Sequence, residues 1–296
     1  FIFECLFFKQ TFINLKMIAE FIYCYILRPW PLRNITNWII KKLLPKKVKI
    51  GKYFLFLNPN DPVVSGAIFF NVYEKSESQF IKSICFEGMN ILDIGANIGY
   101  YTALFSQLAG DKGSVIAIEP DLESYKYLSK SINSFNYKNV LSFRLAASDI
   151  KQKLPLFISK ENRGDNRLYS TNQKRNSIMV DCLTVDELLE ENKIENLDLI
   201  KIDVQGYEPK VLKGMLNIVR SSKKLILLSE FWPKGILQAG ESPKNFLTML
   251  RKMQFQLFEL KKNGFLVLLK PSEDNKFIKK YQGRKYTNII GKKINM

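Results

Sequence analysis

Apolar residues follow two alternating rhythms along this chain. Short apolar runs at 90–95 (NILDIG), 114–120 (SVIAIEP), 140–148 (VLSFRLAAS), 197–204 (LDLIKIDV) and 224–231 (KLILLSEF) have the length and branched content of buried strands. Between most of them the apolar positions recur at helical spacing, in GYYTALFSQLAG (99–110), DLESYKYLSKSINSFN (121–136) and EPKVLKGMLNIVRSS (208–222). Strand and helix in alternation predict an α/β fold with a mostly parallel sheet covered on both faces. Upstream, 48–57 reads as a strand, NPNDP (58–62) as a turn, and 76–88 as a helix ending at Gly88.

Two ends stand outside this rhythm. Residues 1–28 are strongly apolar, yet Glu4, Lys9, Gln10, Asn14, Lys16 and Glu20 break every window of the ~20 residues that a membrane span needs. The stretch 17–47 reads as two short apolar helices with a basic finish, either a helical lid on the main domain or an interfacial anchor. Residues 1–16 precede the first methionine, Met17, and need not belong to the working protein. The expected organisation is thus a helical extension over 1–47, one catalytic domain over 48–270 and a basic tail over 271–296.

The formal charge of +17 lies at those ends. Residues 1–53 carry ten Lys/Arg against two acids, and 261–296 again ten against two, whereas the stretch between them has twenty-five against twenty-four. A near-neutral core argues against a specific nucleic-acid partner and leaves the basic ends for weak contact with an anionic membrane surface. The four cysteines, Cys5, Cys24, Cys85 and Cys182, have no metal-ligand spacing and suit the cytoplasm. With no histidine in the chain, imidazole bases and the usual zinc sites are excluded, so proton transfer falls to carboxylates, Lys or Tyr.

Acids stand at or just past the ends of successive predicted strands: Asp93, Glu119, Asp149, Asp203 and Glu230. In a parallel sheet those ends form the ligand crevice. The loop DIGANIG holds Gly95, Ala96, Asn97 and Gly99, and lacks the middle glycine of a dinucleotide fingerprint; Asp93 just before it repels phosphate. S-adenosylmethionine has no phosphate and carries a sulfonium and an ammonium, so it complements the same residues. Glu119 is placed for two ribose hydroxyls and Asp149 for the adenine amino group.

The strings NVYEKSESQFIKSICFEGMNILDIGANIGYYT, VIAIEPDLESYKYLSKSI, LAASD, LIKIDVQGYEPKVLKG and LLSEF resemble the FkbM family of S-adenosylmethionine-dependent methyltransferases across 70–260. The segment ENRGDNRLYS (161–170) is similar to a family segment too, with Asn166 where many members carry His. The resemblance implies a class I methyltransferase (Rossmann-like) fold, a seven-stranded mostly parallel sheet flanked by helices whose last strand is antiparallel. It implies O-methylation of a hydroxyl on a saccharide, glycan or secondary metabolite; the competing functions are methylation of RNA and non-catalytic binding.

The expected cofactor residues are Asp93, Gly95, Ala96, Asn97, Gly99, Tyr100, Glu119, Pro120, Ser148, Asp149 and Asp203. Asp203 is the first candidate base and Glu230 its helper. Glu208 is either catalytic or a helix N-terminal carboxylate held by the macrodipole. Were Asp203 and Glu230 to converge, they could hold a divalent cation instead, although no metal is assigned. Arg163, Asp165 and Arg167 are expected to shape the acceptor site from a polar insertion.

Overall fold

The computed structural model describes residues 33–160 and 162–293. The chain opens with helix α1 (Arg33–Leu43), a hairpin β1 (Lys47–Ile50) and β2 (Tyr53–Phe56), and helices α2 (Pro62–Phe69) and α3 (Lys75–Ile84). The stretch expected as one strand at 48–57 is therefore a two-stranded ladder, folded back at Gly51, whose φ is +59°. Residues 1–32, with the first of the two predicted apolar helices, lie outside the described residues. In α1, Ile40 is buried while Ile35, Trp38, Ile39 and Leu43 are exposed. Among the described residues no helix is long and apolar enough to cross a membrane.

The main sheet follows. Strand β3 (Asn90–Ile94), helix α4 (Tyr100–Ala109), β4 (Ser114–Ile118), α5 (Leu122–Phe135) and β5 (Val140–Phe143) build one half. The other half is helix α6 (Val185–Glu191), β9 (Leu199–Ile202), helices α7 (Glu208–Lys213) and α8 (Leu216–Ser221), β10 (Ile226–Phe231), α9 (Pro233–Gln238), α10 (Pro243–Lys252), β11 (Phe255–Leu260), β12 (Leu266–Leu268), α11 (Asp274–Lys280) and β13 (Thr287–Lys293). The sheet order among the described residues is β12-β11-β13-β10-β9-β3-β4-β5. The five strands from β5 to β10 are parallel, and β13 runs antiparallel to both its neighbours, as expected of the last strand. Strand β12 adds an eighth position as a hairpin on the edge.

Strand alternation explains the two buried faces. Leu92, Ile94, Ile116, Ile118, Ile200 and Ile202 pack on one side against Val211, Leu212, Ile218, Phe246 and Leu250 from α7, α8 and α10. Ile91, Val115, Leu199 and Leu228 pack on the other against Phe80, Ile81, Leu104 and Phe105 from α3 and α4. Side chains two apart share a face, so a strand buried on both faces reads as a continuous apolar run. Each such fully buried aliphatic contributes about 1.5–3 kcal/mol.

Three expectations change. The run 140–148 is not one strand: β5 stops at Phe143, and β6 (Ala146–Ala147) joins a separate sheet of order β6-β8-β7, with β7 (Gln152–Phe157) and β8 (Ser177–Leu183). The polar insertion therefore lies within the hairpin of that sheet. The predicted helix 208–222 is broken at Gly214, where a Cβ would stand 2.0 Å from the Ser148 carbonyl oxygen. Residues 271–293 form no tail, because β13 is inserted between β11 and β10 and the domain needs it to join them.

From β3 the chain moves outward to β4 and β5, then returns to place β9 on the other side of β3. The strand order thus reverses between β3 and β9, and the crevice at their carboxyl ends is where such sheets bind ligands.

Candidate active site

The turn after β3 is built by close approach of two backbones. Gly95 has φ +80°, and a Cβ there would lie 2.0 Å from the Asp203 carbonyl oxygen at the end of β9. Only glycine satisfies both demands. Every backbone N–H of this turn is then taken within the protein. Gly95 and Ala96 donate to the Ile118 carbonyl at 2.9 and 3.0 Å, and Gly99 to Ala96 at 2.9 Å. Asn97 N donates to Glu119 Oε2 at 2.8 Å, and Ile98 N to Asn97 Oδ1 at 2.6 Å. A pyrophosphate bound at such a turn needs these donors free; those of residues 95–99 are spent.

Gly95, Asn97, Glu119, Pro120, Asp203 and Gln205 line a cleft at the switch point, facing Arg163, Gly164, Asn166 and Leu168. Glu119 enters from the end of β4 and also accepts from Asp121 N at 2.8 Å. Burial pushes its carboxyl up to about 8, against the pull of those two backbone bonds. The opposing wall is tied down by Arg163. Its backbone N–H donates to Asp61 Oδ2 at 3.0 Å, and its guanidinium to both Asp121 oxygens, at 2.9 and 2.7 Å, and to Glu123. Free space in the cleft is about 70 Å³, below the roughly 300–1,000 Å³ of sites that enclose small ligands. Admission of a nucleoside therefore needs a wider cleft than this arrangement leaves, and the 163–168 segment is one of its walls.

At the β9 end of the cleft two carboxyl groups meet through an amide. Gln205 Nε2 donates to Asp203 Oδ1 at 2.9 Å and to Glu230 Oε2 at 3.2 Å. Gln205 holds this position in a left-handed conformation, φ +56°, followed by Gly206 at φ +100°. Gly206 is pressed on α9, where its Cβ would meet the Gly235 carbonyl carbon at 2.3 Å. Lys201, buried inside β9, places Nζ 3.4 Å from Asp203 Oδ2 and 4.6 Å from the Tyr101 ring centroid. Burial alone would lower its ammonium, but the Asp203, Glu74 and Asp93 carboxyls raise it. Burial, with Asp203 and Glu208 nearby, raises the proton affinity of Glu230. Among the described residues no group of three or more His, Cys, Asp or Glu side chains has the spacing to hold a metal ion.

Glu208 is fully buried. Its Oε1 accepts from Val204 N and Gly206 N, both at 3.1 Å, so it holds the turn that carries Gln205 rather than facing the cleft. Burial pushes it up to about 7. Asp93 is also fully buried, with Oδ2 accepting from Thr102 Oγ1 at 2.7 Å. Ala96 and Gly99 belong to the packed turn; Gly99 touches Leu128 of α5. Tyr100 turns away toward Ser78, 3.0 Å from its hydroxyl. Ser148 is buried beside Tyr207, and Asp149 is held by Lys210 Nζ at 2.9 Å, so neither lines the cleft. Asp165 and Arg167 lie behind the wall, hydrogen-bonded to each other at 2.6 Å and lining a second cavity.

The residues that sequence reasoning did not single out are Lys201, Gln205, Asp61 and Asp121. Lys201 had a signal, a cation inside the apolar run LDLIKIDV; a buried Lys demands carboxylate partners.

The methyltransferase FkbM domain matches residues 93–265. A hexuronic acid methyltransferase of Haloferax volcanii, AglP, is 24% identical over 184 residues, 62% of this chain and 70% of that protein. A probable cobalt-precorrin-6B C(15)-methyltransferase (decarboxylating) of Sulfurisphaera tokodaii is 24% identical over 157 residues, 50% of this chain and 78% of that one. The crystal structure of a methyltransferase FkbM from Methylobacillus flagellatus aligns with 88% of this chain at 14% identity and a TM-score of 0.44; the chain spans 59% of that protein's length. The domain match covers more than half of the sequence and lies on the sheet that carries the cleft, and the chain belongs to the FkbM family of S-adenosylmethionine-dependent methyltransferases.

Proposed function

We propose that this enzyme methylates a hydroxyl oxygen of a saccharide or glycan. The observation that carries the cofactor half of this reading is the hydrogen bonding of the glycine turn: the N–H groups of residues 95–99 are all bonded within the protein, and the cleft presents Glu119 and Asp203. Those groups fit S-adenosylmethionine, which is cationic and free of phosphate. The acceptor half is supported by the relative named for a hexuronic acid.

Glu119 would hold the ribose hydroxyls with lone pairs left over from its two backbone donors. Asp203, with 22% of its side chain exposed, is the carboxylate open to the cleft. When bound, S-adenosylmethionine supplies an electrophilic methyl group. Asp203 then orients the acceptor hydroxyl and takes its proton on a carboxylate oxygen, while Lys201 and the Gln205 amide keep its charge in place. Glu230, on the other side of the same amide, is the carboxyl disposed to keep a proton. Alignment of oxygen and methyl carbon supplies most of the remaining rate enhancement.

The test is transfer of tritium from methyl-labelled S-adenosylmethionine to an oligosaccharide panel. The reading expects alkali-stable, ether-type label on a sugar. Label confined to RNA, or to no carbohydrate in the panel or in whole glycan extracts, would contradict it.

A further inference from the structure

Behind the cleft wall lies a larger cavity of about 790 Å³. Two segments join it to the active site. Arg167 sits between Asn166 and Leu168, which face the cofactor cleft, and Trp232 stands two residues beyond Glu230. The 166–168 segment thus borders both spaces.

The charge in this cavity is unbalanced. Its lining includes Arg167, Lys234 and Arg284, with Asp165 as its acid. Asp165 is already engaged, by Arg167 at 2.6 Å and Arg175 at 2.5 Å. Lys234 and Arg284 are exposed and have no carboxylate partner among the described residues. The cations are carried on a stiff frame. The Trp232 indole N–H donates to the Gly283 carbonyl at 3.0 Å, which anchors the residue before Arg284. The Trp232 ring lies on α9, where a Cβ on Gly235 would stand 2.2 Å from Cε3. Over the ring, 4.7 Å from its centroid, sits the guanidinium of Arg167, a residue only 9% exposed, with Asp165 as its carboxylate partner. A cation so stacked and desolvated is pre-organised for an oxyanion.

We infer that this cavity is the acceptor site and that it selects a sugar bearing an oxyanion, a carboxylate or a phosphate, held by Arg167, Lys234 and Arg284. A neutral sugar would satisfy Gln238 and the other amides and hydroxyls of the lining and leave Lys234 and Arg284 unpaired. The statement that the bound sugar is methylated rests on the function proposed above; the binding preference does not.

Calorimetry on the whole protein separates the two. The probes are methyl β-D-glucuronide, glucose 6-phosphate and methyl β-D-glucoside, on the wild type and the double variant Lys234→Gln/Arg284→Gln. At least one anionic probe should bind the wild type about tenfold or more tighter than the glucoside, the worth of one charge-assisted hydrogen bond. The double variant should lose that preference and keep its affinity for S-adenosylmethionine. Stronger binding of the phosphate identifies a phosphorylated sugar, and of the glucuronide a uronic acid; either supports the inference. Equal binding of charged and neutral sugars, or a preference that survives in the double variant, would overturn it. Failure of S-adenosylmethionine to bind the wild type would instead strike the proposed function and leave the sugar preference readable.

Discussion

Glu119→Gln separates the two jobs of one buried carboxyl. The side chain accepts from Asn97 N and Asp121 N, both at 2.8 Å. An amide keeps one acceptor and turns an NH₂ toward the other donor, so one bond is lost and a buried N–H is left unmet, a cost of about 1–3 kcal/mol. Against this stands the carboxyl's own burden, since burial raises it from 4.5 to about 8. Between these values the folded state holds a proton that the unfolded chain has released. The group's contribution is therefore complete below pH 4.5 and falls by about 1.4 kcal/mol per unit as pH rises through about 8, a total of about 5 kcal/mol at most. The variant has no such slope. Urea unfolding should find Glu119→Gln less stable than wild type at pH 5 and more stable at pH 8. Calorimetry at pH 9, where the wild-type carboxyl is ionised, should find its affinity for S-adenosylmethionine reduced by tenfold or more, a lost charge-assisted bond to ribose being worth about 1.5–3 kcal/mol, with a smaller loss at pH 5, where that carboxyl holds its proton. A stability difference that does not change with pH, or a variant that binds the cofactor like wild type, would refute the reasoning.

Gly95→Ala places a methyl group against the Asp203 carbonyl and an alanine at φ +80°; the backbone strain alone costs about 1–3 kcal/mol. Denaturant midpoints should fall accordingly, and a change under 0.5 kcal/mol, read as about that much in ΔG, would contradict the packing described. Asp203→Asn keeps the Gln205 contact region filled and should weaken cofactor binding by about tenfold at most while slowing methyl transfer by about 10²–10⁴, the usual worth of a positioned base. Equal losses in binding and turnover would reassign Asp203 to the cofactor. Glu123→Gln weakens the hold on Arg163 in the cleft wall. Stopped-flow mixing should show cofactor association faster by about fivefold, the equivalent of about 1 kcal/mol, and an unchanged rate would show that the wall does not limit entry.

The sheet was legible because its central strands are buried on both faces, which makes LDLIKIDV and NILDIG mostly apolar runs in which Lys201 and Asp93 stand out. Register at the strand ends then carried Glu119, Asp203 and Glu230 toward the crevice. What was not legible depends on long-range pairing. TNIIGKK reads as a basic tail until β10 and β11, far upstream, flank it with partners. Asp149 looks free for a ligand until Lys210, 61 residues on, reaches it. Gln205 carries no charge and no motif of its own. Its role arises from the left-handed turn that points one amide at two acids, and that turn is set by the packing of Gly206 on Gly235.

The central claim is that the crevice accepts a cationic nucleoside and refuses a pyrophosphate, because its turn amides are spent and its walls bear carboxylates. Titration of the intact protein with S-adenosylmethionine and, separately, with NAD tests it directly. Saturable micromolar binding of the first with no heat from the second is the predicted result; NAD binding that S-adenosylmethionine cannot displace would contradict it.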